Sequence, residues 1–227
     1  MASRPSRFRD VKAVLFDIDD TLFPSSDFSA LARENAVRAM IDAGLGASEK
    51  QVRRELSGII ASRGSNASDH FNRLARRFAC PDRDRVVAAG IAAYHDTKTS
   101  ISPYPKAAEL LLSLRSKGYL VLVASEGVAL KQWDKLIRLG LDPLFHRVFV
   151  TNASGRGKDP AFYKAICRQL KLPAKKVLMV GDNPAKDIAP AQAAGLRAIR
   201  VLTGRHKAEK SRADLSVSDL SKIGPLL

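Results

Sequence analysis

The stretch Val14–Phe23, VLFDIDDTLF, opens with apolar residues suited to a buried strand and then turns acidic. Asp17, Asp19 and Asp20 stand almost side by side, with no basic residue among them. The chain as a whole carries 38 Lys+Arg against 23 Asp+Glu, so an acidic cluster at the end of its first hydrophobic run goes against its composition. Crowded carboxylates repel, and their pKa values rise unless a cation compensates. A bound divalent ion is the simple remedy.

Three further short apolar runs read as strands: YLVLVA (Tyr119–Ala124), RVFV (Arg147–Val150) and VLMV (Val177–Val180). RAIRV (Arg197–Val201) is a weaker fifth. Helical patterns lie between the later ones. PKAAELLLSLRSKG starts at Pro105 and stops at Gly118; PAFYKAICRQLKL starts at Pro160; NPAKDIAPAQAAG ends at Gly195. Strands alternating with helices imply an α/β fold, a parallel sheet covered on both faces. Between the first two strands the pattern differs. Four amphipathic helical segments fill an insertion of about 75 residues, bounded by Pro24 and SISPYP. The division expected is a core of residues 1–23 and 101–227 with a helical cap over 24–100. The tail, ADLSVSDLSKIGPLL, reads as a short strand and a closing helix.

Ligands of an open parallel sheet bind outside the carboxyl ends of its strands, and here those ends carry chemistry. The first brings Asp17 and Asp19, the second Ser125, Glu126 and Gly127, the loop after the third Lys158, and the fourth Gly181, Asp182 and Asp187. Mg²⁺ prefers hard oxygen ligands; Asp17 and Asp182 could bind it by side chain and Asp19 by its backbone carbonyl. Asp187 and Asn183 stand behind these ligands. Ser125, the amides of Glu126 and Gly127, and Lys158 suit phosphate oxygens. Asp17 is the candidate nucleophile and Asp19 the candidate acid and base, with Asp20 and Thr21 supporting the turn.

These motifs resemble those of the haloacid dehalogenase (HAD) superfamily. DIDDTL is similar to its Asp-x-Asp-x-Thr/Val motif, VLVAS to its strand ending in Ser or Thr, and VGDNPAKD to its Gly-Asp-x(4)-Asp motif, while Lys158 stands where its lysine falls. The resemblance implies a Rossmann-like core with strand order 5-4-1-2-3, Mg²⁺ dependence and a cap inserted after the first strand. GSNASDHFNRLARRF, AAYHDTK and KQWDKLIRLGLDPLF further resemble an archaeal group of capped members. That group is associated with Mg²⁺-dependent phosphatase activity and, in at least one relative, with glyceraldehyde 3-phosphate. Two departures stand out. GKDPAF is one residue shorter than the family's Lys-Pro-x-Pro, which leaves Arg156 as an alternative to Lys158. Glu126 follows Ser125 where small or amide residues are common, so its carboxylate is expected to face away or meet a basic group.

Each motif alone has a plainer explanation: a single Asp-x-Asp-x-Thr is also a turn or a helix cap. Their joint order favours a phosphatase acting on a small phosphorylated metabolite. A 2-haloacid dehalogenase needs no acid at Asp19, and a phosphoryl-transferring mutase shares the same motifs. In the cap, Ser65, Asn66, His70, Tyr94, His95 and Lys98 are candidates for substrate contact, although His70 and Tyr94 also suit helix packing. Trp133 reads as packing between helix and sheet. The net charge of +15 draws anions, but the basic residues are scattered and carry no nucleic-acid-binding signature. Cys80 and Cys167 suggest free thiols in a reducing cytoplasm. The basic, polar start MASRPSRFRD lacks the apolar core of a secretory signal, and no run is long enough to cross a membrane. A cytoplasmic monomer or homodimer is expected.

Overall fold

A computed structural model describes residues 8–64, 67–151 and 157–227. These fall into two compact units, one formed by the chain up to Ser26 and from Ser102 to Leu227, the other by Asp27–Ile101.

The first unit is built on six parallel strands: β1 (Ala13–Phe16), β2 (Leu120–Ser125), β3 (Arg147–Val150), β4 (Val177–Gly181), β5 (Arg197–Val201) and β6 (Leu215–Val217). Their order is β3-β2-β1-β4-β5-β6. This is the expected order with one strand added at the edge, the short strand read in the tail. No closing helix follows it; the chain ends in two single 3₁₀ turns, Leu220–Lys222 and Gly224–Leu226. β1 and β4 are buried along their whole length, as central strands covered on both faces must be. Ala13, Leu15, Val177 and Met179 pack on one face with Tyr163, Ile166 and Ala191.

Helix α1 (Ser25–Asp42) leads from the first unit into the second, which also holds α2 (Glu49–Arg63), α3 (His70–Ala75) and α4 (Arg83–Thr99). The second unit has its own core, in which Val37 and Met40 of α1 meet Val52, Leu56 and Ile59 of α2, Leu74 of α3 and Val86 of α4. Where the insertion leaves and rejoins the first unit, the Tyr104 N–H donates to the Leu22 carbonyl at 2.8 Å. The remaining helices are α5 (Ala107–Ser116), α6 (Ala129–Arg138), α7 (Pro160–Leu170) and α8 (Ala189–Ala193). A π-helical turn, Pro184–Ile188, precedes α8. Among the described residues no helix is long and apolar enough to cross a membrane.

Candidate functional site

β1 and β4 are paired in register, Phe16 beside Val180, and the Asp17 N–H continues the ladder to the Val180 carbonyl at 2.9 Å. The residues that follow each strand therefore emerge together. Thr21 fastens them: its hydroxyl accepts from the Asp182 N–H at 3.0 Å and lies 3.5 Å from Asp17 Oδ2. Asp20 turns the chain at φ +57° and accepts from the Ser26 N–H at 2.8 Å, so it caps α1. Asp20 and Thr21 thus support the turn, as expected.

Carboxylate oxygens of Asp17, Asp182 and Asp187 lie within 4.8 Å of one another, and all three residues are buried. The π-helical turn swings Asp187 inward, where it is fully buried and accepts from the Asn183 N–H at 3.0 Å. Asn183 Oδ1 in turn accepts from the Ala185 and Lys186 N–H groups. Lys158 stands between two of the acids. Its ammonium is 2.5 Å from Asp17 Oδ1 and also pairs with Asp187 Oδ1. Lys158 of GKDPAF thus reaches the acids; the alternative, Arg156, lies outside the described residues.

Three buried carboxylates against one ammonium leave an excess of negative charge. Burial, together with Asp187 and Asp19, raises Asp17 to about 7 despite the opposing pull of Lys158. Burial, Asp17 and Asp187 raise Asp182 to about 8. Burial works against the charge on Lys158, but Asp17 and Asp187 hold its pKa well above the ordinary lysine value. Asp182 Oδ2 is buried and has no hydrogen-bond partner among the described residues. An orphaned carboxylate oxygen inside a cluster of excess negative charge fits a hard divalent cation with oxygen ligands.

Ser125, at the end of β2, is buried, and its hydroxyl donates to Gln132 Oε1 at 3.3 Å. The Gly127 N–H, expected to face a phosphate, donates to the Thr151 hydroxyl at 3.3 Å. Glu126 meets a basic group as anticipated. Lys186 Nζ lies 2.8 Å from its carboxylate. Burial would raise this acid, but Lys186 and the Lys158 backbone N–H outweigh it and hold the pKa below the ordinary glutamate value.

A family model described as haloacid dehalogenase-like hydrolase matches residues 11–195. The chain belongs to the haloacid dehalogenase-like hydrolase family. Two curated relatives are named glyceraldehyde 3-phosphate phosphatase. The protein of Methanopyrus kandleri is 41% identical, with 92% of this chain and 91% of the relative covered. That of Methanocaldococcus jannaschii is 36% identical, with 94% and 95% covered. A crystal structure of a haloacid dehalogenase-like family hydrolase from Xanthomonas campestris shares the fold, with TM-score 0.66 at 24% identity, covering 95% of this chain and 89% of the other.

In this haloacid dehalogenase-like hydrolase, three residues join the site that the sequence reading passed over. Lys135 of α6 pairs with Asp19, its ammonium 2.7 and 2.6 Å from the two carboxylate oxygens. Asp19 therefore turns its side chain to Lys135, and the carboxylates that converge are Asp17, Asp182 and Asp187. Gln132, one turn earlier, bridges Lys135 and Ser125. Arg200 is buried on β5; its guanidinium donates to the Asp182 carbonyl at 3.0 Å and to the carbonyls of His206 and Glu209. Gln132 and Lys135 lie within KQWDKLIRLGLDPLF, but that resemblance gives neither a task, and one Lys or Arg among 38 carries no signal by itself.

The other candidates lie in the second unit. His70 Nε2 bonds the Gly64 carbonyl at 2.9 Å, a local helix-end contact. Tyr94 packs edge-on to Phe71 and His95, with the Lys98 ammonium 4.9 Å from its ring centroid. Ser65 and Asn66 lie outside the described residues. Trp133 does not pack between helix and sheet: it is 41% exposed, because α6 buries Gln132 and Leu136 instead.

Proposed function

We propose that this hydrolase is a Mg²⁺-dependent phosphatase that removes phosphate from a small phosphorylated metabolite through an aspartyl-phosphate on Asp17. The observation that supports it most is the convergence of Asp17, Asp182 and Asp187 around one ammonium, with excess negative charge and an unpartnered Asp182 oxygen. Asp17 and Asp182 would hold the ion by their carboxylates and Asp19 by its carbonyl. When bound, the ion neutralises charge on the carboxylates and on the phosphate oxygens.

Asp17 attacks phosphorus, and the bond from phosphorus to the substrate oxygen breaks. Asp19 gives that oxygen a proton, so an alcohol leaves. Water then attacks the phosphorus of the aspartyl-phosphate while Asp19 takes a proton from it. The bond from phosphorus to Asp17 breaks and inorganic phosphate departs. Lys158 and the Ser125 hydroxyl hold phosphate oxygens during both displacements, where fixed charges and dipoles lower the barrier. Dehalogenation would leave Asp19 without a task. The names of the two relatives point to glyceraldehyde 3-phosphate as the first substrate to test.

The test is phosphate release from a panel of phosphorylated metabolites that includes glyceraldehyde 3-phosphate. Activity is expected to require Mg²⁺, to vanish with EDTA and to return when Mg²⁺ is restored. Asp17→Asn should remove at least about 10⁴-fold of kcat with the fold intact. Wild-type turnover by Asp17→Asn would refute the nucleophile.

A further inference from the structure

Lys135 is a cation at the site that the scheme above does not use. Its ammonium donates to both Asp19 carboxylate oxygens, at 2.7 and 2.6 Å, and to Gln132 Oε1 at 3.2 Å. Gln132 lies one turn earlier on the same face of α6. The same Oε1 accepts from the Ser125 hydroxyl at 3.3 Å, and Nε2 donates to the Glu126 carbonyl at 3.1 Å. One face of α6 thus joins the end of β2 to the turn that follows β1. An unbroken set of hydrogen bonds runs from Ser125 through Gln132 and Lys135 to Asp19.

Asp19 needs such a hold. Its side chain is 41% exposed and stands beyond the end of β1, where the backbone makes an isolated bridge to Phe23 and much of the carboxyl group is open to solvent. A partly exposed ion pair adds little to stability, so the value of this one lies in orientation. A proton donor must stay within hydrogen-bond reach of the oxygen it serves, and a displacement of about 1 Å can cost on the order of 10²-fold in rate. We propose that Lys135, anchored by Gln132, is a positioning residue that fixes the Asp19 carboxyl group for proton transfer. The proposal rests on Asp19 acting as acid and base in the phosphatase reaction.

The experiment compares kcat/KM for two substrates, glycerol 3-phosphate and 4-nitrophenyl phosphate. The alkoxide of the first leaves poorly without a proton; the nitrophenolate of the second leaves readily. Lys135→Met should lose at least about tenfold more on the alkyl ester than on the aryl ester. Inhibition by inorganic phosphate should stay within about twofold of wild type, since the phosphate ligands are untouched. Lys135→Arg should restore most of the alkyl activity, because its planar fork also reaches both carboxylate oxygens. In the Asp19→Asn background, Lys135→Met should cost no more than about twofold further, the sign of two residues acting through one step.

Equal losses on both esters with weakened phosphate inhibition would make Lys135 a phosphate ligand and overturn the proposal. So would unchanged or increased alkyl activity, or a full additional loss in the Asp19→Asn background. The Asp19→Asn variant alone separates the two levels. If it shows no excess loss on the alkyl ester, the acid–base reading of Asp19 fails and the Lys135 assignment falls with it. If it shows that loss and Lys135→Met does not, only the Lys135 assignment fails.

Discussion

Lys158 sits where two fully or nearly buried acids, Asp17 and Asp187, compete for one ammonium. Removing one member of a buried ionic group leaves the others uncompensated, which typically costs about 3–5 kcal/mol. Lys158→Met is therefore expected to destabilise the metal-free chain by about that amount near pH 8, and by clearly less near pH 5, where the carboxylates escape the penalty by taking up protons. Urea unfolding at the two pH values measures both. At this scale the sequence was most legible where several side chains share one task. Asp17, Asp182, Asp187, Ser125 and Lys158 each follow a strand or open a helix, and a parallel sheet carries all such positions to one edge. Lys135, Gln132 and Arg200 were illegible for the opposite reason. Their links to the acidic loops, Lys135 to Asp19 and Arg200 to the Asp182 carbonyl, join positions distant in sequence, and Gln132 reaches Ser125 only across the β2–α6 turn, so no spacing announces them.

Among the elements, the apolar runs specified the strands well because a buried parallel strand has to be apolar on both faces. Periodicity failed where an element departs from its usual rule. α6 exposes Leu130, Trp133 and Ile137 and buries Gln132, so its pattern is inverted and points Trp133 to the wrong place. The π-helical turn Pro184–Ile188 was equally hidden, since a single wide turn leaves no mark on a 3.6-residue repeat. That turn depends on the end of β4. A Cβ at Gly181 would lie 2.4 Å from Asp187 Oδ2 and 2.6 Å from Asp187 Cβ. Asp187 is held by Lys158 and by the Asn183 N–H, so it has little room to yield. Gly181→Ala should cost about 1–3 kcal/mol, the usual range for an overpacked core. It should also lower turnover by about 10²-fold by moving Asp187 off Lys158. Thermal unfolding and steady-state kinetics on one preparation check the pair of effects.

At the scale of the whole molecule, a chain of net charge +15 keeps a compact negative centre, and the two are linked through protons. Asp17 titrates at about 7 and Asp182 at about 8 in the folded chain, against an ordinary value of 3.8. Between the ordinary and the raised values the folded chain holds more protons than the unfolded one. The contribution of these two groups to the stability of the metal-free protein then falls as pH rises through this window, from about 4 to about 8, and levels off above it. These raised carboxylates thus contribute the reverse of the usual salt-bridged aspartate, which favours the folded state above its unfolded pKa. A divalent cation binds the deprotonated acids, so its stabilisation grows over the same window as protons are released. Unfolding followed near pH 5 and near pH 8, with EDTA and with millimolar Mg²⁺, should show the metal-free chain weaker at the higher pH and the loaded chain largely spared. A metal-free chain whose stability rises across this range would mean that Asp17 and Asp182 are ionised without help, and the charge argument for the ion would fail with it.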